Sequence, residues 1–442
     1  MRRWDVGSEG GDRVVNTDAQ AAEQVRRPVD PPEQLRVAYP LGRCVEFAGR
    51  QEHEGVASRE QSCRPRDQTH RRACGKLRFT GLGLDGADVG EGAKRCPSRI
   101  LCCRDNSPMT SLIPLIELSR GGTLECQHAG AIAVVDTQGR LLAQAGDPHW
   151  MTFTRSTLKA LQALPFMEGG GPRHFGFGSR DIAMLCASHS GEPMHVAQVQ
   201  GMLDKAGVNY KKLQCGCHVP YFVELGVGPV PEHVDERHHN CSGKHSGFLA
   251  YCVQHGLSLD DYLDPGHPLQ QAIRRDVARA AGMAPDHLKA GIDGCSAPNY
   301  AMPLSRLALA YARLASGEKN SEFGASFAQL GQAMTAHPEL VSGTGRNDEA
   351  FMRAGRGAWV TKVGADGVQA IASSSRGQAI AIKIGDGSKT ALFAASVAAL
   401  DQLGWLDAQQ REQLQPWRAE VIANWRGTPV GERKAVFRLQ SA

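Results

Sequence analysis

The sequence predicts an α+β fold, with one antiparallel sheet built from both ends of the working region and a helical stretch between them. Three observations predict it. A hairpin pattern lies near residue 135, helical periodicity dominates from about 180 to 345, and β-rich segments return after residue 365.

Residues 1–108 are unlike the rest. They carry RR, PPE and PR breakers and little apolar periodicity, and no methionine occurs between Met1 and Met109. From Met109 the text changes to SLIPLIELSRGG and then AGAIAVVDTQGRLLAQAGD. The expectation is a disordered extension or an over-long gene start over 1–108. A catalytic domain then spans 109–404, and 405–442 is a polar tail of the same domain.

Within the domain, 129–136 and 140–146 flank a turn at Thr137–Gly139, which reads as a hairpin. A helix opens near Ser156. The run IAMLCA (182–187) reads as strand-like, and SRLALAYARLA (305–315) has leucine and alanine at helical spacing. Strands return at 367–373 and 378–385, joined by SSSRG. An alanine-rich helix starts near Lys389.

Composition excludes several function classes. Hydrophobic residues are 41% and aromatics 6%, with 50 glycines, which suits a globular enzyme core. No apolar run reaches the roughly 18 residues of a membrane span. MRRWDVGSEG at the N-terminus has no apolar core of a secretory signal, so the expected location is cytoplasmic. Residues 1–108 hold 19 of the 50 Lys+Arg and 16 of the 46 Asp+Glu, so the remainder is nearly neutral. With no arginine-rich stripe among aromatics, nucleic acid is not an expected partner. Thirteen cysteines in a long chain without a leader read as reduced thiols, and no CxxC pair marks a zinc finger.

Two constellations carry chemistry. Ser156 and Lys159 are three apart, a spacing that puts side chains on one helix face. A lysine titrates at about 10.4 in water and becomes a base only when burial or nearby cations lower that value. Ser-x-x-Lys is the nucleophile arrangement of penicillin-recognising enzymes, but the pair also fits a capping serine beside a solvated lysine. Ser188 in ASHSGE and Lys362 in VTKVGADG fill, in chain order, the second serine and strand lysine of such sites. The second constellation is HHNCSGKH (238–245) with Cys295 in GIDGCSAP. It reads either as a metal site, with Asp293 and Asp235 orienting a histidine or ligand, or as a buried turn around Ser242-Gly243 with core cysteines. Cys215 and Cys217 have no assigned role.

Together these blocks resemble the L-asparaginases of the rhizobial, thermolabile class 3 type. The resemblance runs from about Ile113 to Leu403 and is carried by RGGTLECQHAGAIAVVD, FTRSTLKALQALPF, CASHSGE, HHNCSGKHSGFLA, DGCSAPNYAMPL and TKVGADGV. It implies a fold like that of serine β-lactamases and Ser-Lys glutaminases, a homodimer, and hydrolysis of L-asparagine to L-aspartate and ammonia. It further implies the pairs Ser156 with Lys159 and Ser188 with Lys362. Zinc would be held by Cys241, Lys244 and Cys295, with His245 and Asp293 close by, and Arg155, His245 and Asp293 are the expected substrate-binding residues. One departure, TLECQH, leaves Glu125 and His128 without an assigned role. The rival readings are a glutaminase or another Ser-Lys hydrolase of the penicillin-recognising type, and a non-catalytic zinc or redox protein.

Overall fold

A computed structural model describes residues 111–442. The expectations for residues 1–108, including the six cysteines there, lie outside the described residues.

The main sheet is antiparallel throughout. Its N-terminal strands are β1 (Ile113–Arg120), β2 (Thr123–Asp136) and β3 (Leu141–Ala145). A short strand β4 (Met151–Phe153) pairs with β6 (Pro298–Pro303), which pairs with β5 (Lys289–Ile292), in a separate three-stranded sheet. The main sheet resumes with β7 (Trp359–Gly364), β8 (Val368–Ser373) and β9 (Gln378–Ile384). It is completed by β10 (Val421–Ala423), β11 (Pro429–Ala435) and β12 (Gln440–Ser441). The strand order is β10-β11-β1-β2-β9-β8-β7, with β3 also on β2 and β12 on β3. The α+β arrangement of sheet-forming ends around a helical middle is therefore present. The small second sheet interrupts that middle, and residues 421–441 supply sheet strands.

The sheet faces follow from the two-residue period of a strand. On β2, Ala131, Ala133 and Val135 face the helical body, while Ile132 and Val134 face the C-terminal helix layer. On β9, Ala379 and Ala381 share the first face, and Ile380, Ile382 and Ile384 the second. Alanine on one face lets the helix Leu304–Ser316 approach closely, and its Leu307, Ala308, Ala310 and Tyr311 are fully buried there. Isoleucine on the other face fills the larger gap to the helix Lys389–Gln402. Each such isoleucine contributes roughly 1.5–3 kcal/mol on burial.

One sequence expectation is corrected. The run 182–187 is not a strand: Ile182 to Leu185 lie in the helix Ser179–Leu185, since a short apolar run that is buried all round has no period to separate the two forms. Lys362 lies within β7, just before the turn into β8. Among the described residues, no helix is long and apolar enough to cross a membrane.

Candidate active site

Ser156 stands in a 3-10 turn, Arg155–Leu158, that runs directly into a helical turn, Lys159–Gln162. The turn is held by the start of β6. Thr154 Oγ1 donates to the Tyr300 carbonyl at 2.9 Å, the Arg155 amide donates to Asn299 Oδ1 at 3.0 Å, and Asn299 Nδ2 donates to the Arg155 carbonyl at 3.0 Å. Asn299 thereby grips both polar groups of one residue. Arg155 needs that grip, because its φ of +49° lies in the left-handed region that a non-glycine residue enters at a cost of about 1–3 kcal/mol. Its side chain is tied as well, with Nε on Asp293 Oδ1 at 2.9 Å and Nη1 on Asp366.

Gly364, at the end of β7, closes on the same turn. A Cβ at Gly364 would stand 2.9 Å from the Thr154 carbonyl, 3.2 Å from Arg155 Cβ and 3.4 Å from the Ser156 nitrogen. Ser156 is half-buried, and its hydroxyl has no hydrogen-bond partner among the described residues.

Lys159 is buried. Its Nζ donates to the Ala187 carbonyl at 2.6 Å and the Asn240 carbonyl at 3.2 Å, and lies 2.8 Å from Ser188 Oγ. Burial lowers its pKa, the nearby Lys244 cation adds to that, and the Cys241 and Cys295 sulfurs oppose it. Among the described residues it has no carboxylate partner. Lys362 differs. It is wholly buried and meets Asp348 Oδ2 at 3.1 Å and the Val363 carbonyl at 3.0 Å. Burial pulls its pKa down, Asp348 pulls it back, and Lys159 and Arg346 depress it again, to about 8. The hydrogen bonds thus do not follow the pairs expected from sequence: Lys159 meets Ser188, and Lys362 meets Asp348.

The cysteine cluster assembles at the start of the helix Ser242–Gln254, with Cys241 at its N-cap and Lys244 and His245 in its first turn. Lys244 Nζ donates to Cys295 Sγ at 3.0 Å, and the Cys241 thiol is hydrogen-bonded to the same sulfur. All three side chains are buried. Cys295 is therefore the thiolate of the set, its pKa lowered by the Cys241 hydrogen bond and, against burial, by Lys244 and His245. Cys241 is held high by that same hydrogen bond and by burial. His245 Nδ1 shares a hydrogen bond with the Tyr262 hydroxyl at 2.8 Å, and the ring is also hydrogen-bonded to Cys295.

Among the described residues, no three His, Cys, Asp or Glu side chains stand together as a metal group. Two sulfurs and one lysine nitrogen do converge, and a soft donor pair plus one nitrogen suits zinc, leaving a fourth position open. The donor set therefore fits the ion only if Lys244 serves as its third protein ligand. Cys215 is buried nearby, with Sγ on the Glu236 carbonyl at 3.5 Å.

Asp293 binds Arg155 rather than a histidine, and Asp235 caps the 3-10 turn Glu236–His238. Glu125 pairs with Arg120 at 3.0 Å, and His128 with Asp386 at 2.6 Å. Sequence reasoning missed Asn299, Arg346 and Asp348. Asn299 stands inside a block already singled out, whereas SGTGRND (342–348) reads as an ordinary polar turn.

No curated protein matches the chain in a sequence search. The sequence model of the family described as L-asparaginase II matches residues 116–435, from β1 to the end of β11 and including every side chain of this site. The chain belongs to the L-asparaginase II family.

Proposed function

We propose that the chain hydrolyses the side-chain amide of L-asparagine to L-aspartate and ammonia, with Ser156 as nucleophile and Lys159 as its base. Besides the family, the observation that carries this reading is the Lys159 amine. It is buried, faces no carboxylate, lies against the Ser188 hydroxyl and is one helical turn from Ser156. Two of its N–H groups go to the Ala187 and Asn240 carbonyls, so a neutral amine still has its lone pair for a serine proton.

The steps balance with the groups present. Ser156 Oγ attacks the amide carbon and its proton passes to Lys159, directly or through Ser188. The tetrahedral adduct then collapses, the C–N bond breaks, and the departing nitrogen takes that proton and leaves as ammonia. Water adds to the β-aspartyl ester with Lys159 taking its proton, the C–O bond to Ser156 breaks to release aspartate, and Lys159 returns that proton to Ser156 Oγ. Lys362, kept cationic by Asp348, stabilises the negative charge that develops on the substrate and orients it. Arg155 and Asp293, as an ion pair beside the nucleophile turn, are placed to bind the charged ends of the amino acid.

Zinc held by Cys241, Lys244 and Cys295 would supply a Lewis acid and a fixed positive charge next to Lys159. His245 would orient that ligand set.

The test is ammonia release from L-asparagine and, in parallel, L-glutamine by the full chain and by Ser156→Ala. Loss on the order of 10³-fold or more is expected, with stability within about 0.5 kcal/mol of the parent. Retained turnover removes Ser156 as nucleophile, and faster release from glutamine makes the enzyme a glutaminase.

A further inference from the structure

Asp348 is the most heavily bonded carboxylate at the site, and the chemistry above gives it no step of its own. It is fully buried. Oδ2 accepts from Lys362 Nζ at 3.1 Å and from the Val363 amide at 2.9 Å. Oδ1 accepts from Thr361 Oγ1, Gln369 Nε2 and Asn347 Nδ2, each at 3.2 Å.

The bland reading is a carboxylate at a helix start, since Asp348 lies in the first turn of the helix Asn347–Ala354, where negative charge is favoured. Such a carboxylate accepts from its own helix's amides. Here four of the five donors come from β7 and β8, so Asp348 faces the sheet.

The residues just before it grip the Ser188 loop. The Val341 carbonyl accepts the Ser188 amide at 2.8 Å. Arg346 Nη1 donates to the Ser188 carbonyl, and to the Ser342 carbonyl at 3.0 Å. Ser190 Oγ reaches the Ser342 carbonyl at 3.1 Å, and Glu192 accepts from the Thr344 amide at 2.9 Å and hydroxyl at 2.8 Å. Gly343, at φ +127°, is pressed against Ser190; a Cβ there would lie 2.2 Å from Ser190 Oγ. Segment 341–348 thus holds the Ser188 loop at one end and Lys362 at the other.

We propose that Asp348 is a positioning residue of the amide hydrolysis, acting through Lys362, and that segment 341–348 braces Ser188 and Lys362 as one rigid unit. This rests on the serine–lysine reading above. A salt bridge buried in this way contributes little net stability, because desolvation offsets the attraction, so its use lies in fixing a charge in place.

Several titratable and charged groups surround Lys362. They are Asp348, Lys159 on the nucleophile turn, Arg346, and Cys186 at the end of the Ser179–Leu185 helix. Tyr311 faces Asp348 from the helix Leu304–Ser316.

The experiment is kcat and KM for L-asparagine as a function of pH in the parent, Asp348→Asn, Arg346→Gln and Lys362→Met. Asp348→Asn removes the anion that keeps Lys362 protonated. It should lower kcat about tenfold or more with KM changed far less, and move the alkaline limb of kcat by about one unit to lower pH. Arg346→Gln removes a cation and should move that limb to higher pH. Opposite shifts support the proposal, since mere loosening of the fold moves both variants alike or neither. Equal or absent shifts overturn it. If Asp348→Asn does not fold, the direction of the Arg346→Gln shift decides. Full turnover in Lys362→Met overturns the underlying serine–lysine reading, and the proposal with it.

Discussion

At the scale of single residues, the site is a matter of which buried cation has a counter-charge. Lys362 has Asp348 and, among the described residues, Lys159 has none, and that contrast is the basis for proposing Lys362 as the cation and Lys159 as the base. It also predicts a pH effect on stability. Unfolded, Lys362 titrates near the ordinary lysine value; folded, it does so at about 8. Between those values the unfolded chain binds the extra proton, so this residue's contribution makes stability rise with pH across the window and stay level below it. Other buried thiols and phenols titrate nearby, so the parent is compared with Lys362→Met. Unfolding measured at pH 7.5, 8.5 and 9.5 should show the parent gaining on the variant, and a constant difference refutes the assignment. For the cysteine cluster, Cys241→Ala should lower bound zinc measured by elemental analysis. Unchanged zinc removes the Cys-Lys-Cys site.

At the scale of elements, the Ser156 turn depends on contacts from three directions: Asn299 on β6, Asp293 before it, and Gly364 on β7. Gly364→Ala forces a methyl against the Thr154 carbonyl and toward the Ser156 nitrogen. An overpacking cost of about 1–3 kcal/mol is expected, with activity falling further than stability because the nucleophile itself is displaced. Chemical denaturation beside a kinetic assay checks this, and a variant as active and stable as the parent shows the contact to be slack. Elements also explain what sequence could not carry. The serines and lysines were legible because their spacing has a chemical meaning. Asp348 was not, since nothing in GRND says that a helix start will be laid against a strand lysine found 14 residues on. The contact of Lys159 with Ser188 escaped for a similar reason: spacing puts Lys159 within reach of Ser156, but tertiary packing brings the Ser188 loop against it.

At the scale of the whole molecule, the sequence was most legible where periodicity was strong. Strand β3, the strands β8 and β9, and the helix from Lys389 lie within a residue or two of their expected limits, whereas β2 ends at the expected Asp136 but begins at Thr123 rather than 129. The C-terminal segment was not legible. Its strands are short, polar and exposed, so they have no alternating pattern, and their existence depends on the edge that β1 and β3 offer them. The order of the main sheet has a consequence for how the protein comes into being. β2 joins its neighbour β9 through Gly130 opposite Ile384, and β1 joins β11 through Ile116 opposite Ala435. During synthesis the first strands leave the ribosome long before these partners exist. Ser156 emerges early, whereas Lys362 and the strands beside it come late. The proposed nucleophile is therefore synthesised well before the other half of the proposed site, which assembles only once β7 to β9 have been made.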